Sequence, residues 1–534
     1  MKKLLCILLA LIMVFALAAC GTPANNNAAP SGGNNNNAEP AKVSKYGGTF
    51  VAAVSTSPGC LFYPYQYASV STYVYPAVET LRLRNPETGA YEPNLCESWV
   101  TDLENHTLTM KIRQGVKFHD GSDLNAEVVK WNFEKILEYG NGSVIQSPTA
   151  IEVLDEYTIK VTFPNFDLNQ ESFTYSVLIY SQKAFEEHGL DWCINNCVGT
   201  GPFKLKENVP DSHLLFERFD NYWKKDAEGN QLPYLDYYKI QVIPDASAQM
   251  TAFSQNEIHR FPCNDMQISE SMYAMGYQNK AQIGEANSAI VYGVYVNNTI
   301  EGDPWSNVKV RQALLLHGID WNAVAYVAGG KTAFEIMTPL IETGDGYDPT
   351  LMDASKYDVA KAKEMLKEAG YENGFKTKIL KLDYGTKAAT EIQSQLKTNF
   401  NIDAEIVNLV NGDDRRFDGV NEGIYLNYGY TTADFARHLR NMFCPTGTYK
   451  NVHKYSDEYV EMRQQMLDAK TIEEKRDLIK KLSYKLMVEE CLFRQMYAVP
   501  NNIFIQDYVH ESGLERSVDG ITPETTWLDE AYRK

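Results

Sequence analysis

The chain runs to 534 residues with a formal net charge of −19, 50 Lys and Arg against 69 Asp and Glu. Such an acidic surface lacks the positive footprint that phosphates demand, which excludes nucleic acid and an anionic membrane face as partners. The body from about residue 46 onward is too long for one hydrophobic core, so two or three lobes are expected.

Met1-Lys2-Lys3 supplies a short positive end, residues 4–17 are apolar, and Leu17-Ala18-Ala19-Cys20-Gly21 closes the run. A membrane span wants about 20 apolar residues, so this shorter run reads as a secretory signal over 1–19. Ending on a cysteine resembles the lipobox of bacterial lipoproteins. There the thiol is acylated and becomes the mature N-terminus, which implies lipid on Cys20 and a body outside the cytoplasmic membrane. A plain signal with an incidental cysteine is the alternative. Residues 22–45 are built from Asn, Ala, Gly, Pro and Ser, including Asn25-Asn26-Asn27. That composition cannot bury enough apolar surface to order itself. With Cys20 it makes a tether over 20–45, and a coil of that length reaches on the order of 25–30 Å. No second apolar run is long enough to cross a bilayer.

Residues 46–54 open the body as a strand after Gly47-Gly48, and 107–112 alternate as a second strand turned by Gln114-Gly115. Residues 125–137 have helical spacing. Residues 151–163 read as one strand pairing with 107–112. Val359, Ala362, Leu366 and Ala369 share a helical face, with Asp358 as N-cap and Gly370 as stop. Thr471 to Glu474 fits a capping box, and Leu478, Ile479, Leu482 and Leu486 follow as a stripe. Strands and helices mix without a fixed repeat, which is α/β or α+β.

The usual catalytic signatures are missing: no Gly-x-Ser-x-Gly, His-Glu-x-x-His or Gly-x-Gly-x-x-Gly segment occurs. Gly330-Lys331-Thr332 hints at a phosphate loop, but Ala325 stands where its first glycine belongs, and the segment follows a helix instead of leading into one. His119-Asp120 reads as a hydrogen-bonded corner after a strand. Cys60, Cys96, Cys193, Cys197, Cys263, Cys444 and Cys491 remain once Cys6 leaves with the signal and Cys20 is acylated. Their number is odd and they make no zinc spacing, so structural thiols or one or two disulfides are expected, in a pairing left open. No metal or cofactor is expected.

Five segments in order are similar to the family 5 extracellular solute-binding proteins, the peptide-binding components of ABC importers. They are Pro93-Asn94-Leu95-Cys96-Glu97-Ser98-Trp99 leading to 112–121, Val198-Gly199-Thr200-Gly201-Pro202-Phe203 with Asn221-Tyr222-Trp223, Pro233-Tyr234-Leu235 running to Ile243-Pro244-Asp245, residues 308–314 with Ile319-Asp320, and 360–371. The resemblance implies an α/β, two-lobed periplasmic-binding-protein-like fold of type II. Lobe I would use 46–90, 195–285 and 495–534, an inserted subdomain 91–194, and lobe II 286–494. Ligand would bind between lobes that close by hinge motion. The chain would act as a monomer, deliver its ligand to ABC permease subunits and sit on the outer face of a Gram-positive type of envelope.

Peptide binders of the family carry an acidic residue in a Gly-Trp-x-Ala-Asp-Tyr-like segment that pairs with the peptide amine. Here Tyr428-Gly429-Tyr430-Thr431-Thr432-Ala433-Asp434-Phe435 matches it with one extra residue, and Ala436-Arg437-His438 departs from the usual continuation. The resemblance makes Asp434 the amine partner; a cap at the start of a helix through Arg440 is its other reading. Tyr428, Tyr430 and Thr432 would line the ligand with it. Tyr295 and Asn298 sit where the chain crosses into lobe II and would line the cleft, or serve core or hinge packing. Tyr63 would lie at the lobe I edge. An oligosaccharide is the runner-up ligand, its rings stacking on these aromatics, and a secreted hydrolase is a third and disfavoured reading.

Overall fold

Two six-stranded sheets carry the fold, and a single residue separates them where the chain last passes between them. In the computed structural model the described residues are 44–533 without 63, 65–70, 86–89, 140–147, 165–176, 264, 279, 281–288, 340–343, 345, 410–417, 430–434 and 514–522. The proposed signal, Cys20 and most of the tether therefore lie outside the described residues. Among the described residues no helix is long and apolar enough to cross a membrane.

The first sheet orders its strands Phe203–Val209, His213–Arg218, Tyr237–Val242, Thr49–Val54, Arg260–Cys263 and Asn502–Ile505. The second orders Phe334–Glu335, Phe493–Pro500, Ala289–Val296, Ile424–Tyr428, Lys376–Lys381 and Asp403–Asn408. Ala289–Val296 and Phe493–Pro500 run antiparallel side by side at the centre of the second sheet. Both are almost wholly buried; Ala289–Val296 is apolar throughout, whereas Phe493–Pro500 also buries Arg494 and Gln495. The chain leaves Pro500, passes Asn501 and enters the first sheet at Asn502. A lobe limit at 494/495 thus falls inside a strand of the second sheet, and sheet membership changes at Asn501.

A third sheet, of four strands, lies between residues 96 and 162. Met110 faces Ile159 and Leu108 faces Val161 across it. Val129, Phe133 and Ile136 of the helix Ala126–Glu138 supply buried apolar contacts at helical spacing. Among the described residues this insertion has no separate core. Its Leu108, Met110 and Phe133 belong to one continuous apolar cluster with Phe50, Ala52 and Phe216 of the first sheet. The second sheet has a separate core around Trp305, Trp321, Leu396 and Phe493.

The run 151–163, expected as one strand, is a hairpin of Ala150–Asp155 and Thr158–Thr162. Asp155 Oδ1 accepts from the Tyr157 amide at 2.9 Å and turns the chain. Both arms keep a period of two, so alternation alone does not reveal the break. Local signals elsewhere act as expected. Asn125 accepts from the Val128 amide at 3.0 Å, Asp358 from Lys361 at 2.9 Å and Thr471 from Glu474 at 3.1 Å. Glu474 reaches back to the Lys470 amide, one residue before the expected position of the capping box. Ile479, Leu482 and Leu486 are fully buried, while Leu478 packs at the rim.

Candidate functional site

Ala289–Val296 runs away from the first lobe and Phe493–Pro500 runs back to it, so residues at the start of one and the end of the other mark the end of the second sheet nearest the crossing. Tyr292 is opposite Tyr428 on one neighbouring strand and Tyr497 on the other. Directly opposed residues share a sheet face. The rings form a row: Tyr292 stacks on Tyr497 at 4.9 Å and lies 5.6 Å from Tyr428. Tyr384, from the loop after Lys376–Lys381, stacks on Tyr428 at 4.4 Å. Its hydroxyl donates to Asn427 Oδ1 at 2.6 Å. The row runs from a buried Tyr497 to a Tyr428 that is 48% exposed. Burial, then the neighbouring Tyr428, pushes the Tyr292 phenol up to about 12. Burial likewise raises that of Tyr497. These are neutral apolar faces across the physiological range.

Lys381 ends at the same place, because Lys376–Lys381 runs parallel to Ile424–Tyr428. Its side chain is nearly buried, at 3% exposure. Its ammonium donates to the Thr386 hydroxyl and has no carboxylate within ion-pair reach among the described residues. Thr386 opens the helix Thr386–Phe400, whose N-cap Gly385 supplies no side-chain bond. A helix start adds partial positive charge. The other ammonium groups buried to this degree behave differently where their partners are described: Lys485 pairs with Glu458 and Glu489. The carboxyl ends of parallel strands are where open α/β sheets place ligands.

Gly429 lets the chain pass this spot. Its amide donates to the Val291 carbonyl at 2.8 Å. A Cβ there would meet Val291 Cγ1 at 2.7 Å and Gln495 Oε1 at 2.9 Å. Gln495 is itself fully buried and donates to the Thr338 carbonyl at 2.6 Å.

Of the residues expected at the site, Tyr428 is in the row. Asp434, Tyr430, Thr432 and Tyr63 lie outside the described residues; the helix that follows Asp434 spans Phe435–Asn441. Tyr295 does not line an open surface. It is three residues beyond Tyr292, hence on the opposite face of the strand, and is 2% exposed among Tyr449, Phe443 and Phe493. Its hydroxyl donates to the Tyr428 carbonyl at 2.7 Å, so it supports Tyr428 from within the core. Asn298 lies past the far end of the same strand. It holds the loop at Lys454 by accepting from that amide at 2.7 Å and donating to that carbonyl at 2.9 Å. Tyr292, Tyr384, Tyr497 and Lys381 were not legible as site residues. A tyrosine or lysine in a strand carries no mark of its cross-strand partners.

The segments that carry the family resemblance are architectural. His119 Nε2 donates to the Gly201 carbonyl at 2.9 Å, and burial lowers its pKa to about 4, so it is neutral. Asp120 accepts from Ser122 and from Ser181. Glu79 accepts from Thr200 Oγ1, Tyr222 Oη and Trp223 Nε1 at 2.8–2.9 Å and pairs with Lys224 at 3.1 Å. Lys224 also pairs with Glu524 at 3.3 Å. Burial opposes its charge, but the two carboxylates outweigh that and raise its pKa. This cluster ties the segment at Glu79, the loops around Thr200 and Tyr222–Lys224, and the C-terminal segment at Glu524 together. Arg311 donates to the carbonyls of Trp305, Ser306 and Glu490 at 2.7–2.9 Å and so locks the second core. Among the described residues no three His, Cys, Asp or Glu side chains could hold a metal ion.

Two six-stranded sheets with separate cores, joined where the chain passes Asn501, define the two-lobed architecture of a type II solute-binding protein. The model of the bacterial extracellular solute-binding proteins, family 5 (middle), matches residues 90–449, and the chain belongs to that family. It is similar to the glutathione-binding protein GsiB of Salmonella typhi, 30% identical over 295 residues, covering 53% of this chain and 54% of that protein. The chain spans about half the length of the curated relatives it matches. Its fold is similar to that of the periplasmic binding protein DppA of Helicobacter pylori in complex with the peptide STSA. That likeness has TM-score 0.69 and 20% identity, over 91% of this chain and 99% of that one. The substrate-binding protein CtaP of Listeria monocytogenes has the same fold, with TM-score 0.75 and 19% identity, over 91% and 100% of the two chains.

Proposed function

We propose that this chain is the capture component of an ABC importer, closing its lobes on a short peptide and passing it to permease subunits. The observation that carries this reading is Lys381, a nearly buried ammonium without a counter-charge among the described residues, beside the tyrosine row. A buried charge is costly until something of opposite sign meets it. A peptide carboxylate supplies that charge, the tyrosine face takes apolar side chains, and Asp434 takes the free amine. Relatives named for glutathione and for a bound peptide agree with a ligand of this class. The leader segment adds the rest of the picture: a lipid on Cys20 holds the receptor at the outer face of a Gram-positive type of cell envelope, with the tether setting its reach.

The stacked Tyr384–Tyr428 pair, exposed at Tyr428, also suits a sugar ring, so an oligosaccharide is the second reading. Thermal unfolding across free peptides, C-terminally amidated peptides and oligosaccharides separates the two. A ligand at 100 times its Kd stabilises by about 2.7 kcal/mol. Stabilisation by free peptides alone supports the proposal; stabilisation by glycans alone overturns it. Peptides recovered unchanged by mass spectrometry distinguish capture from hydrolysis.

A further inference from the structure

Seven thiols remain in the described body, and all are buried. Two of them lie where the first lobe meets the insertion. Cys60 follows the opening strand Thr49–Val54, and Cys193 ends the helix Leu190–Cys193 of the insertion. The residues immediately after them are joined directly, the Leu61 amide donating to the Ile194 carbonyl at 2.7 Å. Both cysteines belong to the same apolar cluster, at 2% and 5% exposure. Around them the two segments are docked at several points. Tyr180 Oη donates to the Leu61 carbonyl at 2.9 Å, and Phe62 stacks on Phe185 at 5.4 Å. We infer that Cys60 and Cys193 form a disulfide in the exported protein, clasping the 55–62 segment to the insertion.

Geometry selects this pair. Backbones held by a direct hydrogen bond one residue away are close enough for the Cα separation of about 4.4–6.8 Å that a disulfide spans. Among the described residues, Cys193 is the one thiol whose ionisation a neighbouring thiol, that of Cys60, pushes up. Cys60 donates to the Phe62 carbonyl at 3.5 Å, as Cys96 does to that of Ser98 and Cys263 to that of Asp265, so the neighbouring backbone at Ile194 is what sets it apart; Cys491 instead faces Arg311 and Arg494. The family is extracellular, where disulfides persist. Closure removes two protons and two electrons from the thiols. The acceptor is a second disulfide, on a small molecule or a thiol oxidase, which is reduced to two thiols. Burial raises both thiol pKa values, which slows attack in the folded state, so the bond forms as the chain folds after export.

The test uses the full chain, exported by its host and purified without reductant, then unfolded in N-ethylmaleimide and weighed. The inference expects two fewer maleimide adducts than on the same chain reduced beforehand, and a proteolytic fragment pair joined through Cys60 and Cys193. Equal adduct numbers, or a link that uses Cys197 or any other cysteine, overturns it. Cys60→Ser supplies a second arm. It is expected to free Cys193 for one adduct more than unreduced wild type. It also makes the melting temperature indifferent to reductant, whereas that of the wild type falls by a few degrees. A wild-type melting temperature unchanged by reductant counts against the clasp.

Discussion

Met266 occupies the space that a side chain on Gly330 would need. A Cβ built on Gly330 would lie 1.8 Å from the Met266 sulfur. Met266 opens a helix packed beside the first sheet, whereas Gly330 caps the helix Trp321–Gly329 of the second. One residue further, Lys331 approaches Glu270 at 3.8 Å. The strand Phe493–Pro500 passes close by, since Gly329 abuts Val499. Gly330-Lys331, which in sequence hints at a phosphate loop, is instead where the two lobes touch beside their crossing.

Gly330→Ala is expected to lower the unfolding free energy and reduce the compaction on adding ligand. Gly330 has φ +80°, a conformation costing about 1–3 kcal/mol for other residues. The clash with Met266 adds to it. The double variant G330A/M266A relieves the clash and keeps the strain, so it recovers part of the loss in urea unfolding. Small-angle scattering with and without peptide reads the compaction. A G330A chain as stable as wild type would remove this contact from the account of lobe closure.

Lys381→Met is expected to separate binding from stability. Truncating one partner of a buried charge pair costs about 2–5 kcal/mol of affinity, so calorimetry should find free-carboxylate peptides weakened at least ~30-fold. An amidated peptide should bind both chains alike. The unliganded variant should be as stable as wild type or more so, because an uncompensated ammonium becomes a methyl thioether. Equal weakening of free and amidated peptides would sink the role given to Lys381.

Tyr428→Ala and Tyr295→Phe should act in opposite places. The Tyr428 ring is half exposed, so its loss should leave the unfolding midpoint nearly unchanged and weaken ligand by about 1–2 kcal/mol. Tyr295→Phe removes one hydrogen bond to the Tyr428 carbonyl, about 1 kcal/mol of stability, with little direct effect on ligand. A Tyr428→Ala chain with unchanged affinity for every stabilising ligand would exclude the tyrosine row from the binding face.

Two buried histidines predict a loss of stability in mild acid. Burial lowers the pKa of both His119 and His259 to about 4. His259 Nδ1 accepts from the Val51 amide at 2.9 Å, which protonation would break. The unfolded chain binds a proton at each histidine near pH 6.5, while the folded chain does not until about 4. Stability should therefore be steady above about pH 7, fall as pH drops from 6.5 to 4, and lose this dependence below 4. The shifts are worth up to roughly 3 kcal/mol each. Urea midpoints across that window check the slope, and His259→Gln should make it shallower. A flat profile from 7 to 4 would contradict neutral, buried imidazoles.

Chain order was enough to set the local grammar of the helices. Asn125, Asp358 and Thr471 cap helices because their short side chains reach amides three residues on, a relation contained in the chain order. The family segments were legible too, since Gly199, Gly201, His119 and Trp223 serve tight turns and buried bonds that few other residues can make. Which side chains share the open sheet face was set by tertiary structure. Tyr292, Tyr428 and Tyr497 meet only through strand register, and a shift of one residue would turn each ring to the other face. Tyr295, equally aromatic, lands in the core for that reason. Lys381 looks like any strand lysine until packing buries it beside the Thr386 hydroxyl. Burial and register come from contacts far apart in sequence, and no local pattern encodes them.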